Sequence, residues 1–209
     1  MIRNAICGLF LQLIVACYGQ PAKKQNDVIP EVDTTHSQSS SPAINNFEIE
    51  EYNIVGDTLK IVSTADFLYY PFGSYTDEKT LAKQFSFMKK SVEYSNQNRE
   101  QSEGKLPLYR FSLNHSYTKF LYDEEKGRME LIAAKITDRE VILSNQVKIG
   151  MTKADFIGRF SNQIKPEQIK SVKVIEFISG LLGIWHFYNF DNDILISFYI
   201  TTDYQLDKN

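Results

Sequence analysis

Lys148-Ile149-Gly150-Met151-Thr152-Lys153-Ala154-Asp155-Phe156 is the stretch on which the reading of the fold turns. Gly150 interrupts an apolar pair, Thr152 can accept from the amides that follow, and Asp155 three residues on completes a capping box. Phe156, Ile157 and Phe160 follow at helical spacing, which predicts a short helix with one buried face. Upstream, Val141 to Leu143 and Val147 to Ile149 read as short strands. Downstream, Pro166 opens a turn, and Val172 to Ile178, Ile184 to Phe190 and Ile194 to Thr201 read as strands. Asp191-Asn192-Asp193 joins the last two. It begins like a calcium loop but lacks that loop's glycine and closing glutamate, so it is expected to be a hairpin turn. Within Trp185-His186-Phe187-Tyr188-Asn189-Phe190 one face should be core, with Trp185 and Phe187 close to Phe160.

The preceding half shows a similar order. Phe47 to Glu50 alternates apolar and acidic residues, and Gly56-Asp57 marks a turn before Leu59, Ile61 and Val62, so a hairpin is expected. Thr76 can cap a helix with Asp77 and Glu78 in its first turn, and Leu81, Phe85, Met88 and Val92 sit at helical spacing. That helix should fade in the polar run Ser95 to Gly104. Strands Tyr109 to Leu113, Tyr117 to Tyr122 and Arg128 to Lys135 come next, the last two separated by the turn Asp123 to Gly127. Phe72-Gly73, Thr76 and Phe85 thus correspond to Ile149-Gly150, Thr152 and Phe160, each set leading into three strands. The expected fold class is α+β, a helix packed on an antiparallel sheet, in two related halves, 47–138 and 139–209.

Gly150-Met151-Thr152, the helix behind it and the aromatic strand Trp185 to Phe190 resemble the BamE-like (SmpA/OmlA) lipoproteins. The same fold in tandem is similar to the β-lactamase inhibitor proteins. The resemblance implies a domain that binds proteins through a sheet face or helix edge and carries no enzyme site.

The first residues carry a different signal. Arg3 supplies a positive start, Ile6 to Ile14 an apolar run of about ten residues, and small Ala16 precedes Cys17. That run falls well short of the ~20 residues of a spanning helix. Ile14-Val15-Ala16-Cys17 resembles the bacterial lipobox, which implies cleavage of residues 1–16 and lipid on Cys17. The acyl chains would hold the protein to a membrane. Tyr18, rather than an aspartate, follows the cysteine, as in lipoproteins sorted to the outer membrane of Gram-negative cells, so a periplasm-facing position there is expected. Of the two cysteines, Cys7 leaves with the signal and Cys17 is taken by lipid, so disulfide, thiol and thiolate-metal chemistry are not expected in the domain. Residues 17–46, with Pro21, Pro30, Pro42 and the serines 37 and 39–41, read as a flexible tether of roughly 90–100 Å at full extension. His36 falls within it.

Loss of Arg3 takes the formal charge from −3 to −4. Lys23-Lys24 and Lys89-Lys90 are the densest basic spots and read as solvated surface, so a nucleic-acid partner is not expected. The domain's histidines, His115 and His186, lie in aromatic stretches read as strands, where core or edge roles are expected. No Gly-x-Ser-x-Gly, His-Glu-x-x-His or glycine-rich phosphate loop accompanies them. Asp123-Glu124-Glu125 reads as a solvated turn. No catalytic residue, cofactor or metal is expected. The expected function is a lipid-anchored, non-enzymatic protein-binding or scaffold module of the cell envelope, with a protein partner. The alternatives are an inhibitor or immunity-type lipoprotein and a cell-envelope hydrolase.

Overall fold

The computed structural model describes residues 47–95, 106–180 and 183–204. The signal at 1–16, Cys17, the tether to residue 46 with Lys23, Lys24 and His36, and most of the run after Ser95 lie outside the described residues. The chain order is β1 (Glu51–Val55), β2 (Thr58–Ser63), α1 (Asp66–Tyr69), α2 (Glu78–Gln84), β3 (Lys89–Tyr94), β4 (Pro107–Leu113), β5 (Ser116–Asp123) and β6 (Arg128–Ile136). Then come α3 (Lys153–Gly158), a 3-10 turn (Pro166–Ile169), β7 (Val174–Ser179), β8 (Ile184–Asp191) and β9 (Ile194–Thr202).

All nine strands form one sheet in the order β1-β2-β7-β8-β9-β6-β5-β4-β3. This corrects the expected fold class. The protein is dominated by one large mixed sheet with a few short helices, rather than by a helix packed on an antiparallel sheet. The sheet is mixed because β2 runs parallel to β7, in register from Thr58↔Val174 to Ser63↔Ser179. Every other pairing is antiparallel.

The two halves share this sheet. β6 and β9 meet antiparallel at its centre, from Ala133↔Thr201 to Ile136↔Phe198. The order β4-β5-β6 on one side mirrors β7-β8-β9 on the other. Each half also docks its pre-helix segment on its last strand through backbone bonds, one of which is equivalent in the two halves. Met129 N–H donates to the Tyr75 carbonyl (2.8 Å), and Leu195 N–H to the Met151 carbonyl (2.9 Å). The glycine just upstream takes positive φ both times, +101° at Gly73 and +91° at Gly150, where a β-carbon would be strained.

Several local expectations are revised. The first hairpin begins at Glu51, after the stretch read as a strand. Asp77, not Thr76, caps α2: its carboxylate accepts from Thr80 N–H at 2.8 Å and is held below the usual aspartate range, chiefly by that bond. The helix ends at Gln84, and Val92 lies in an additional strand, β3, paired with Tyr109 of β4. The short strands at 141–149 reduce to a single bridge, Ile142↔Lys148. α3 forms as read, with Thr152 Oγ1 accepting from Asp155 N–H at 3.1 Å.

One apolar cluster runs under the sheet. It holds Leu81 of α2, Phe156 and Ile157 of α3, Phe67 and Leu68 of α1 and Ile169 of the 3-10 turn, together with Phe111, Phe177, Tyr188 and Phe198 from the strands. Phe85 stacks on Phe111 at 5.2 Å, and Phe156 lies 4.6 Å from Tyr188. All the helical segments therefore bury their apolar residues on the same face.

Candidate protein interface

Alternation along β8 decides which side chains face the helices. His186, Tyr188 and Phe190 are buried among them, whereas Trp185 and Phe187 are half-buried on the opposite face. This reverses the expected placement. Phe160 packs on Phe177 (4.7 Å), Phe47 (4.9 Å), Phe156 (5.0 Å) and Phe67 (5.1 Å), not on Trp185 or Phe187. β8 carries large apolar side chains on both faces, so alternation alone does not say which set is inside.

A polar group settles it. His186 is completely buried. Its Nε2 lies 3.0 Å from the Leu68 carbonyl, and its Nδ1 3.1 Å from the Tyr188 hydroxyl. Since a carbonyl only accepts, Nε2 carries the proton and donates, and Nδ1 accepts from the tyrosine. Burial pushes the imidazole down to about 3, against the Leu68 bond that favours its charged form, so it is neutral at pH 7. His186 is thus a clamp joining α1 to β8, with both ring nitrogens used. His115 is exposed in the β4–β5 turn rather than in a strand. The nearest polar cluster belongs to Asp138, whose carboxylate accepts from Asn114 (2.8 Å) and Ser116 and is thereby held below the usual range.

The remaining candidates are structural turns. Asp123 accepts from the amides of Glu125 (3.0 Å) and Lys126 (3.1 Å), tying the acidic loop. Asn192 and Asp193 both take positive φ, making a two-residue hairpin turn between β8 and β9. Lys90 of the Lys89-Lys90 pair is bonded to Glu78. Among the described residues, no group of three or more His, Cys, Asp or Glu side chains is placed to hold a metal ion, and no helix is long and apolar enough to cross a membrane.

Sequence reasoning missed Lys153. Only 4% exposed, its ammonium reaches the carbonyls of Val172 (2.6 Å) and Ile169 (3.0 Å) and the Asp193 carboxylate (2.6 Å). It ties the 3-10 turn to the β8–β9 hairpin. Only its position beside the cap residue Thr152 could have hinted at burial, and lysine is otherwise read as surface.

The face away from the helices carries the candidate interface. Pairing sets two rows of side chains across it. One runs Glu176, Phe187, Tyr199, Lys135, Tyr117, and the other Ile178, Trp185, Thr201, Ala133, Lys119. Phe187 and Tyr199 rings lie 6.3 Å apart, and Tyr199 is 39% exposed. Ion pairs close the rows at both ends: Lys60 with Glu176 (3.4 Å), and Lys119 (3.2 Å) and Arg110 (3.3 Å) with Glu93. The Arg110 guanidinium also sits 4.6 Å over the Tyr117 ring. Between those ends, Trp185, Phe187 and Tyr199 stand beside the small Thr201 and Ala133, with no described helix over them.

No family model matches the chain, and neither curated proteins nor solved structures return a match.

Proposed function

We propose that the protein is a lipid-anchored, non-enzymatic binding module of the cell envelope that holds a partner protein against the helix-free face of its sheet. The observation that carries this reading is the patch of Trp185, Phe187 and Tyr199 across two adjacent rows, flanked by small residues and bounded by ion pairs. Tryptophan, tyrosine and arginine are the side chains that concentrate binding energy at interfaces, and a centre with charges at its rim is the usual arrangement. Rigid strands present these rings with little ordering left to do on binding. The histidines point the same way. His186 is consumed by the core, and His115 is exposed on a turn whose neighbouring Ser116 hydroxyl is bonded to Asp138.

The anchor rests on the lipobox-like Ile14-Val15-Ala16-Cys17, and the likeness to BamE-like and tandem inhibitor proteins supports binding through a sheet face. The periplasmic side of an outer membrane is the proposed location. A Trp185→Ala/Phe187→Ala double variant tests the interface. Both side chains lie outside the main core, so the variant should melt near the wild type while losing a stoichiometric partner captured from solubilised envelope. Retention of that partner at wild-type yield would exclude this face.

A further inference from the structure

Away from the proposed interface rows, a cleft of about 610 Å³ opens where β6 runs past the end of β9. That volume lies within the range of small-ligand sites. α1 supplies one side of it, the first half of β6 another, and the start of β8 with the end of β9 the third. Its apolar surface comes from Leu68, Leu131 and Ile184, and its aromatic walls from Tyr69, Tyr70 and Tyr204.

The walls are fixed in place by bonds that do not involve a ligand. Tyr69 Oη is 2.9 Å from Ser179 Oγ, Tyr204 packs on the small cluster of Leu108, Leu121 and Ile132, and Thr202 Oγ1 donates to the Ile132 carbonyl at 2.9 Å. The shape is therefore built into the sheet.

The charges are distributed unevenly. The two cations lining the cleft are already neutralised: Arg128 Nε donates to Glu130 at 2.8 Å and lies 4.6 Å over the Tyr70 ring, and Lys126 pairs with Asp123 (3.4 Å) and Glu130 (3.5 Å). Glu130 is only 8% exposed, so an incoming anion would have to break a buried carboxylate from both partners. Of the three acids lining the cleft, Glu130 is held by those cations, and Asp66 and Asp203 form no ion pair among the described residues. The uncompensated charge is negative, and it borders apolar and aromatic surface. A cation with an aliphatic stem satisfies both features: the stem covers the apolar residues, and the charged head meets carboxylates and ring faces.

We propose that this cleft binds an alkylammonium ion, a lysine side chain or a free aliphatic amine, with Asp66 and Asp203 as counter-charges and Tyr69, Tyr70 and Tyr204 as walls. Both acids are exposed, so solvent and salt screen them and the affinity should fall as ionic strength rises. Isothermal titration calorimetry on the purified protein at low salt tests this with three probes: cadaverine, Nα-acetyl-lysine N-methylamide and pentanoate. At least one ammonium probe should bind at a single site and pentanoate should not. Binding of cadaverine alone would assign the site to free amines, and binding of the lysine amide would assign it to a protein side chain. Asp66→Asn/Asp203→Asn should weaken ammonium binding about tenfold or more. Its melting temperature should not move, since neither acid is ion-paired. Absence of binding by both ammonium probes, pentanoate binding as tightly as they do, or undiminished binding to a folded double variant would each overturn the proposal.

Discussion

Lowering the pH from about 7.5 to about 4.5 should cost this protein on the order of 3 kcal/mol through one side chain, His186. The imidazole is sealed between α1 and β8, where burial holds it down to about 3. In the unfolded chain it returns to the ordinary value, near 6.5. Above that value neither state holds the proton. Between about 6.5 and about 3 the unfolded chain takes it up and the folded protein does not, so stability falls as pH falls. Each pH unit below the unfolded value is worth about 1.4 kcal/mol, and two units give the figure above. The acid limb of Asp77 and Asp138, whose carboxyls lie below the usual range, sets in at lower pH and is common to wild type and variant. His186→Gln isolates the effect. At neutral pH it should lose about 1–3 kcal/mol, because glutamine cannot serve the Leu68 carbonyl and the Tyr188 hydroxyl from the same positions. Urea denaturation at several pH values should show the two stability curves converging as the pH drops. Parallel curves would mean that the imidazole is protonated or solvated in the folded protein, and the clamp would have to be abandoned.

Two further expectations concern the core and the anchor. Phe160→Ala removes a ring packed on four other phenylalanines at a site 6% exposed, and should cost about 3–5 kcal/mol in urea melts. A loss below ~1 kcal/mol would show that the turn after α3 does not pack on the sheet. Cys17→Ser should abolish incorporation of a clickable fatty acid in cells, and equal labelling of wild type and variant would rule out lipidation at that residue.

The sequence was most legible where local chemistry specifies structure. The Thr152–Asp155 cap, the turn at Asp191 to Asp193 and the strands β4, β5 and β6 all lie within a residue or two of their expected places. Errors arose where two signals coincide or where the deciding contact is distant. Leu81, Phe85, Met88 and Val92 fit a helical period, yet the chain turns at Phe85 to Met88. β3 is an edge strand exposed on nearly every residue, and so has no burial alternation to reveal it. α1 is a single turn held by the His186 bond to Leu68, 118 residues away. The parallel pairing of β2 with β7 joins segments over a hundred residues apart, which no local pattern records. With the β6–β9 pairing, it makes the two halves one sheet. The candidate face was inverted for a related reason: Trp185 is the larger hydrophobe, but His186 can be buried because both its nitrogens are bonded.

Site-specific photo-crosslinking in cells tests the central claim most directly. A benzoylphenylalanine at Tyr199 stands on the helix-free face, and one at Phe87, exposed beyond α2, serves as the comparison. Position 199 should give a discrete, light-dependent adduct with a single protein, and position 87 none of that mass. No adduct from position 199 alongside a strong one from position 87, or the same adduct from both, would contradict the claim.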